Sequence, residues 1–294
     1  MKKIKLMLLG AGGQLGQCIQ AEVGQFAALE LVSFSHQQLD VTKLAALQQV
    51  MTEVQPAIVI NCVAYTAVDN AETDPGNAYL LNCDVVADIA TLCLQQDAGL
   101  IHISTDYVFN GQHYRPYQES DLAAPVGQYG ASKLAGEQAL LQAGVAGVIL
   151  RTSWLYSEFG NNFVKTMLKL ARSRSQLGVV ADQIASPTYG RDLAQAILTL
   201  ANQADFCQRF TPAKVYHYAN QGVASWFDFA KAIFEFSNQP CQVQAITTEA
   251  YPTPARRPAY SVLNTAAIRQ DLQLPIPYWR DSLRRCLTEL ATEL

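Results

Sequence analysis

Leu8-Leu9-Gly10-Ala11-Gly12-Gly13-Gln14-Leu15-Gly16 closes the first apolar run of the chain and opens its first helical pattern. Glycine at such a junction permits a tight turn, lets the backbone approach a pyrophosphate, and lets the helix pack close to the strand. The helix N-terminus behind it offers free N–H groups and a partial positive charge to phosphates. The stretch satisfies both G-x-G and G-x-x-G-x-x-G. A glycine-rich βα turn without a ligand has the same composition, so position in the chain is what favours a dinucleotide site. Outward from this turn, Ile4–Leu9, Leu31–Phe34, Ala57–Ile60, Leu100–Ser104 and Val148–Leu150 read as strands buried on both faces. Helical patterns near 13–24, 43–54, 76–96 and 128–142 alternate with them, Asp40 and Thr42 being candidate caps before the second. That alternation predicts an α/β, Rossmann-like doubly wound parallel sheet.

The rhythm changes beyond residue 153. Helical patterns near 162–174, 190–204, 226–237 and 279–291 are separated by long loops, among them the proline-rich Tyr251-Pro252-Thr253-Pro254-Ala255-Arg256-Arg257-Pro258. The expected organisation is a dinucleotide-binding domain over 1–153 and a smaller, mostly C-terminal α/β substrate lobe over 154–294, with segments near 185–220 packing back onto the first. Trp226, Phe227, Phe229, Phe234 and Phe236 have the spacing of core packing in the small lobe.

The 294 residues are 50% hydrophobic and only 16% charged, and 27 glutamines supply much of the remaining polarity. A formal net charge of −4 without a basic stripe argues against a nucleic-acid partner. No apolar run approaches the roughly 20 residues that span a bilayer, and Met1-Lys2-Lys3-Ile4 leads into a strand without a signal-peptide pattern. The seven cysteines are scattered without a C-x-x-C pair, which fits reduced thiols and a cytoplasmic location. The four histidines are equally dispersed, so no metal site is expected from them. His102, inside a buried strand, reads as a satisfied core histidine.

A dinucleotide fold commonly ends its second strand on a carboxylate that binds a ribose 2′-hydroxyl. Here that strand ends Ser33-Phe34-Ser35-His36. The missing carboxylate leaves room for a 2′-phosphate, with Ser35 a hydrogen-bonding candidate; NADP(H) is favoured and NAD(H) remains possible. Further on, Ser104-Thr105-Asp106 gathers polar side chains at the carboxyl end of a strand, where ligands bind. Tyr129 and Lys133 are four apart and share a helix face. An ammonium beside a phenol lowers its pKa from about 10 toward neutrality, which suits proton transfer to a carbonyl.

These stretches, with Asn61-Cys62-Val63-Ala64 and Ser104-Thr105-Asp106-Tyr107-Val108-Phe109, resemble the extended short-chain dehydrogenases/reductases. Tyr65-Thr66-Ala67-Val68-Asp69-Asn70-Ala71-Glu72, Arg151-Thr152-Ser153-Trp154-Leu155-Tyr156, Gly160-Asn161-Asn162-Phe163, Asp182-Gln183 with Pro187-Thr188, and Arg256-Arg257-Pro258 narrow the resemblance. Across nearly the whole chain it is similar to the dTDP-4-dehydrorhamnose reductase family. The resemblance implies NAD(P)H-dependent reduction of dTDP-4-dehydro-L-rhamnose to dTDP-L-rhamnose. It implies that Gly10, Gly13, Gln14 and Leu15 hold the pyrophosphate, that Asp40 and Val41 lie near the adenine, and that Val63, Ala64 and Tyr65 line the nicotinamide side. Tyr129 becomes the proton donor, Lys133 the residue that holds the nicotinamide ribose, and Thr105 and Asp106 the contacts to the sugar carbonyl. Trp154 is assigned to the deoxysugar, and Asn162, Gln183 and Arg257 to the nucleotide end of the substrate.

Enterobacterial relatives are thought to dimerise through magnesium held by glutamates. At the matching positions this chain has Cys18 and Arg191, neither a hard oxygen ligand, which argues against Mg²⁺ and that mode of dimerisation. Glu289 or Glu293 near the C-terminus could contribute to such a site, but solvated helix surface is the favoured reading of both. The chain is expected to be a monomer or a homodimer. The alternatives are another nucleotide-sugar reductase or epimerase of the extended family, or a non-catalytic NADP-binding regulatory subunit similar to the methionine adenosyltransferase β subunit. The intact Thr105, Tyr129 and Lys133 argue against the last.

Overall fold

A computed structural model describes residues 3–292. The first half runs β1 (Ile4–Leu9), α1 (Gln14–Glu22), β2 (Leu29–Phe34), α2 (Leu44–Val54), β3 (Ile58–Asn61), α3 (Pro75–Gln95), β4 (Gly99–Thr105), α4 (Gln128–Ala143) and β5 (Gly147–Thr152). The second half adds α5 (Phe163–Ala171), β6 (Gln176–Val180), α6 (Gly190–Ala201), β7 (Lys214–His217), α7 (Trp226–Phe236), β8 (Gln242–Ile246) and α8 (Trp279–Thr292).

Six strands form one parallel sheet in the order β7-β5-β4-β3-β1-β2. Period-two alternation sends successive side chains to opposite layers. Leu6 and Leu8 of β1 join a core with Leu15 and Ile19 of α1 and Leu193 and Ile197 of α6. Met7 and Leu9 face Leu47 and Met51 of α2, Ile89 of α3 and Leu140 of α4. The strand order reverses between β1 and β3, and the crevice outside the carboxyl ends there is where such sheets bind ligands.

Helix α3 begins with Pro75 behind Asp74, whose carboxylate accepts from Asn77 N–H. Its 21 residues include a window of mean hydropathy 1.2, long and apolar enough by those measures to cross a membrane. That exceeds the expectation from the sequence, which found no run of such length. Val85, Val86, Ile89, Ala90, Leu92 and Cys93 on this helix are buried, as a helix covering a parallel sheet requires. A π-helical turn at Leu80–Asp84 widens it and turns Asn82 inward. Asn82 accepts from Tyr65 N–H and donates to Tyr65 C=O and Ser132 Oγ, tying the loop after β3 to α4.

Asp40 and Thr42 do not cap α2. Lys43 stands at the N-cap without a side-chain bond, and Asp40 instead accepts from the N–H and hydroxyl of Thr42. The Asx turn closes too early to reach the helix.

The small lobe has its own core, built from α5, α7, α8 and the parallel pair β6–β8 around Phe229, Ile233, Leu177 and Leu283. The chain leaves the sheet after β5, enters this lobe, returns through α6 against α1 and through β7 beside β5, and enters the lobe again.

Candidate active site

The turn after β1 holds Gly10 at φ +82, and a Cβ there would lie 3.0 Å from both the Cys62 carbonyl carbon and Val63 N. Only glycine allows the β1 and β3 loops to come this close. Gly13 stands at the N-cap of α1 without a side-chain bond, so the first-turn N–H groups point into the crevice. Ser35 lies beside the turn, its Cβ 3.6 Å from where one on Gly12 would be. Val63, Ala64 and Tyr65 follow β3 opposite Gly10, and Leu15 and Val41 are buried below. Gly10, Ser35 and Val63 thus gather at the carboxyl ends of β1, β2 and β3 beside the α1 N-terminus, an arrangement that fits a pyrophosphate.

The floor of the cleft is formed by β4 and α4. Gly130 lets α4 approach closely, since a Cβ on it would lie 2.2 Å from the Tyr107 carbonyl oxygen. Tyr129 meets the Tyr107 ring edge-on at 5.7 Å and lies beside the Thr105 hydroxyl, which donates to Asp106. The expected lowering of the Tyr129 pKa by Lys133 is not what the structure holds. Burial pushes the phenol above its ordinary value, and Thr105 is the group that pulls it back. Lys133 Nζ turns away to donate to Ile103 C=O at 2.6 Å and lies 3.3 Å from His102 Nε2. Burial holds its ammonium down to about 8, against the opposing pull of Glu137. Asp106, 1% exposed, is pushed up to about 7 by burial although Ser261 and Thr105 donate to it.

Behind this floor Glu137 is paired with Arg151 through two guanidinium nitrogens and accepts from Ser104. The pair is nearly dry, with 6% and 2% of the side chains exposed, and it fixes α4 to β5.

A cavity of about 440 Å³ opens in the small lobe. Its walls include Phe163 and Met167 of α5, Trp226 of α7, Gln183, Arg174 and Arg257. Arg257 connects it to the floor, donating to Tyr107 Oη at 3.1 Å and to Asp69 at 2.9 Å. Gln183 donates to Thr248 Oγ1. Trp154 does not line this cavity; it stacks on Trp226 at 3.5 Å and 10°, with its backbone in the left-handed region at φ +45. A bulky residue there stores on the order of 1–2 kcal/mol of strain.

Asn162, assigned from the resemblance to the substrate, lies elsewhere. It caps α5, and its Nδ2 donates to Gln14 Oε1 at 2.7 Å and to Ser157 C=O. Gln14 in turn donates to Leu155 C=O, so this pair binds the glycine turn to the small lobe. Sequence reasoning missed Trp226 as a cavity wall because half of its helix is true core, and it missed Arg174, at the end of the helical pattern near 162–174, because no motif marks it.

The positions matching the magnesium ligands do not fit that ion. Arg191 forms ion pairs with Glu158, Glu22 and Glu289, so a guanidinium already neutralises the carboxylates. Glu289 is therefore a paired residue rather than free helix surface, and Glu293 lies outside the described residues.

A glycine turn at the switch point, with a tyrosine and a lysine on the helix that follows the Ser-Thr-Asp strand, defines a Rossmann-fold oxidoreductase of the extended short-chain type. Comparison with known proteins narrows the class. Residues 4–292 match the family model described as RmlD substrate binding domain. The chain is 38% identical over 287 residues to a dTDP-4-dehydrorhamnose reductase of Aggregatibacter actinomycetemcomitans, covering 95% of this chain and 97% of that one. It is 39% identical to the spore coat polysaccharide biosynthesis protein SpsK of Bacillus subtilis, with 97% of each covered. The crystal structure of dTDP-4-dehydrorhamnose reductase from Bacillus anthracis in complex with NADP superposes with a TM-score of 0.92 at 40% identity, covering 98% of this chain and all of that one. The chain belongs to the RmlD family of dTDP-4-dehydrorhamnose reductases.

Proposed function

We propose that the protein reduces the 4-keto group of dTDP-4-dehydro-L-rhamnose to give dTDP-L-rhamnose, with NADPH as the preferred reductant and NADH a poorer one. The observation that carries the reading is the buried Tyr129 phenol set beside Thr105 at the carboxyl end of β4, with Lys133 on the same helix, in a chain of this family. The NADP complex of the Bacillus anthracis relative supports the cofactor.

In this reading Gly10, Gly13, Gln14 and Leu15 hold the pyrophosphate on the α1 N-terminus. Ser35, Asp40 and Val41 border the adenosine, and Val63, Ala64 and Tyr65 border the nicotinamide. The bound cofactor supplies the hydride. Tyr129 supplies the proton: a phenol raised above its ordinary pKa is fully protonated at neutral pH, as a donor to a forming alkoxide must be. Thr105 and Asp106 orient the sugar carbonyl. Lys133 holds the nicotinamide ribose. Trp154 backs Trp226 behind the deoxysugar, and Arg257 with Gln183 faces the nucleotide diphosphate, for which a planar guanidinium is suited. Asn162 serves the cofactor side through Gln14. Both reactants are charged and water-soluble, in keeping with a cytoplasmic enzyme that needs neither nucleic acid nor membrane.

The test is nicotinamide absorbance with purified protein, NADPH or NADH, and dTDP-4-dehydro-L-rhamnose, with and without EDTA. Oxidation that yields dTDP-L-rhamnose, is faster with NADPH and is indifferent to EDTA is expected. Tight NADP⁺ binding without oxidation would overturn the reading.

A further inference from the structure

Asn61, at the end of β3, and His102, in β4, are register partners in the sheet, and neither is exposed to solvent. Asn61 Nδ2 lies 3.2 Å from His102 Nδ1, and His102 Nε2 lies 3.3 Å from Lys133 Nζ. A neutral imidazole has one N–H and one bare nitrogen, so the two contacts cannot both place donors on the ring. The choice is made by Val63, whose N–H donates to Asn61 Oδ1 at 3.0 Å. Turning the Asn61 amide over would set its NH₂ against that N–H. Nδ2 therefore donates to Nδ1, and the ring proton sits on Nε2, facing the lysine.

We propose that Asn61 and His102 form a buried positioning relay that presents an N–H donor to Lys133 and thereby favours its free amine. An ammonium has no lone pair to receive that N–H, whereas an amine does. Ile103 C=O is the acceptor that still holds the charged form. The remaining titratable groups that act on Lys133 are Glu137 on its own helix and Cys62 after β3. Glu137 is already paired with Arg151, and burial pushes the Cys62 thiol up to about 12, so it stays neutral. The imidazole is held well below its ordinary range by burial and by Lys133, so it does not become a cation that would replace the relay with simple repulsion. Lys133 can then change protonation state close to working pH while its position stays fixed. His102 touches neither the hydride nor the carbonyl in this scheme; it acts through Lys133. The consequence for catalysis rests on the role given to Lys133 above, because an ammonium that holds the ribose is lost once the lysine deprotonates.

The relay is tested first without catalysis. In ligand-free protein labelled with ¹⁵N-histidine, long-range ¹H–¹⁵N correlation reads which ring nitrogen carries the proton, and the His102 signals are those missing from H102Q. A bare Nδ1 and a protonated Nε2, unchanged between about pH 6 and 9, are expected. The opposite tautomer, or an imidazolium, overturns the proposal. The second arm is N61D, whose carboxylate accepts from Nδ1–H, moves the bare nitrogen to the lysine side and stabilises the ammonium. The tautomer should invert and the alkaline limb of the pH–kcat profile should rise by about one unit. H102Q, whose amide can accept from Asn61 and donate to Lys133, should keep the wild-type limb. An inverted tautomer with an unmoved limb, or a moved limb in H102Q, overturns the link to Lys133. Should Tyr129→Phe retain full turnover, the catalytic reading fails, while the tautomer measurement still decides the relay.

Discussion

The cleft floor and the small-lobe cavity are built on opposite principles. In the floor, Lys133, Asp106, Asn61 and His102 are each at most 1% exposed, and every one is held by named hydrogen bonds. What matters there is where protons reside. The cavity is walled by Phe163, Met167 and Trp226, with arginines at its margin and Tyr251 60% exposed. What matters there is surface and charge, and its members come from segments well separated in the chain. Changes to the floor should therefore appear in kcat and in pH dependence, and changes to the cavity in KM.

Tyr129→Phe should break this comparison most sharply if it is wrong. Removing the proton donor is expected to lower kcat by roughly 10²–10⁴-fold while NADPH affinity, followed by fluorescence, changes less than about threefold. A variant with near-wild-type turnover ends the assignment. Arg257→Ala should behave in the opposite manner, raising KM for the nucleotide sugar by about 10–100-fold, as expected for loss of a charged hydrogen bond, with a much smaller change in kcat. A loss confined to kcat would mean that Arg257 acts through Tyr107, to which it is bonded, rather than on the substrate. The smallest effect concerns stability. Asp106 keeps its proton up to about pH 7, above the ordinary carboxyl range. Folding thus binds a proton between the unfolded and folded pKa values, and this group's contribution to stability declines as pH rises through that window. Asp106→Asn should remove the slope, so its stability relative to wild type improves from pH 4 to 8 in urea unfolding. A constant difference between the two curves would show that Asp106 is ionised throughout.

Much of the floor was legible because its signals are local or periodic. The buried strands and glycine turn fall where the alternation placed them, within about two residues at their ends. Tyr129 and Lys133 share a helix as their spacing requires. The direction of their electrostatics was not legible, since Lys133 finds Ile103 C=O and His102, partners some thirty residues away on another element. The cavity was less readable still. Trp226 sits on a helix whose Phe229 and Phe234 are ordinary core, and no local pattern separates the residue that faces the cavity. Asn162 was found as a motif, but its contact with Gln14 was not legible, because it spans 148 residues.

The return of β7 to the sheet has a consequence for how the chain is made. On the ribosome, β1 to β5 emerge first, and β5 presents Val148-Ile149-Leu150 along an unpaired edge. Its partner, Lys214–His217, emerges about sixty residues later, an interval of several seconds at about 5–20 residues per second. For that time the nascent nucleotide-binding half is sticky along one side, and a chain that stops near residue 153 would remain so. The first part of the small lobe, α5 and β6, is thus synthesised while the sheet is unfinished and the rest after it, and the two halves cannot be parted by a single cut.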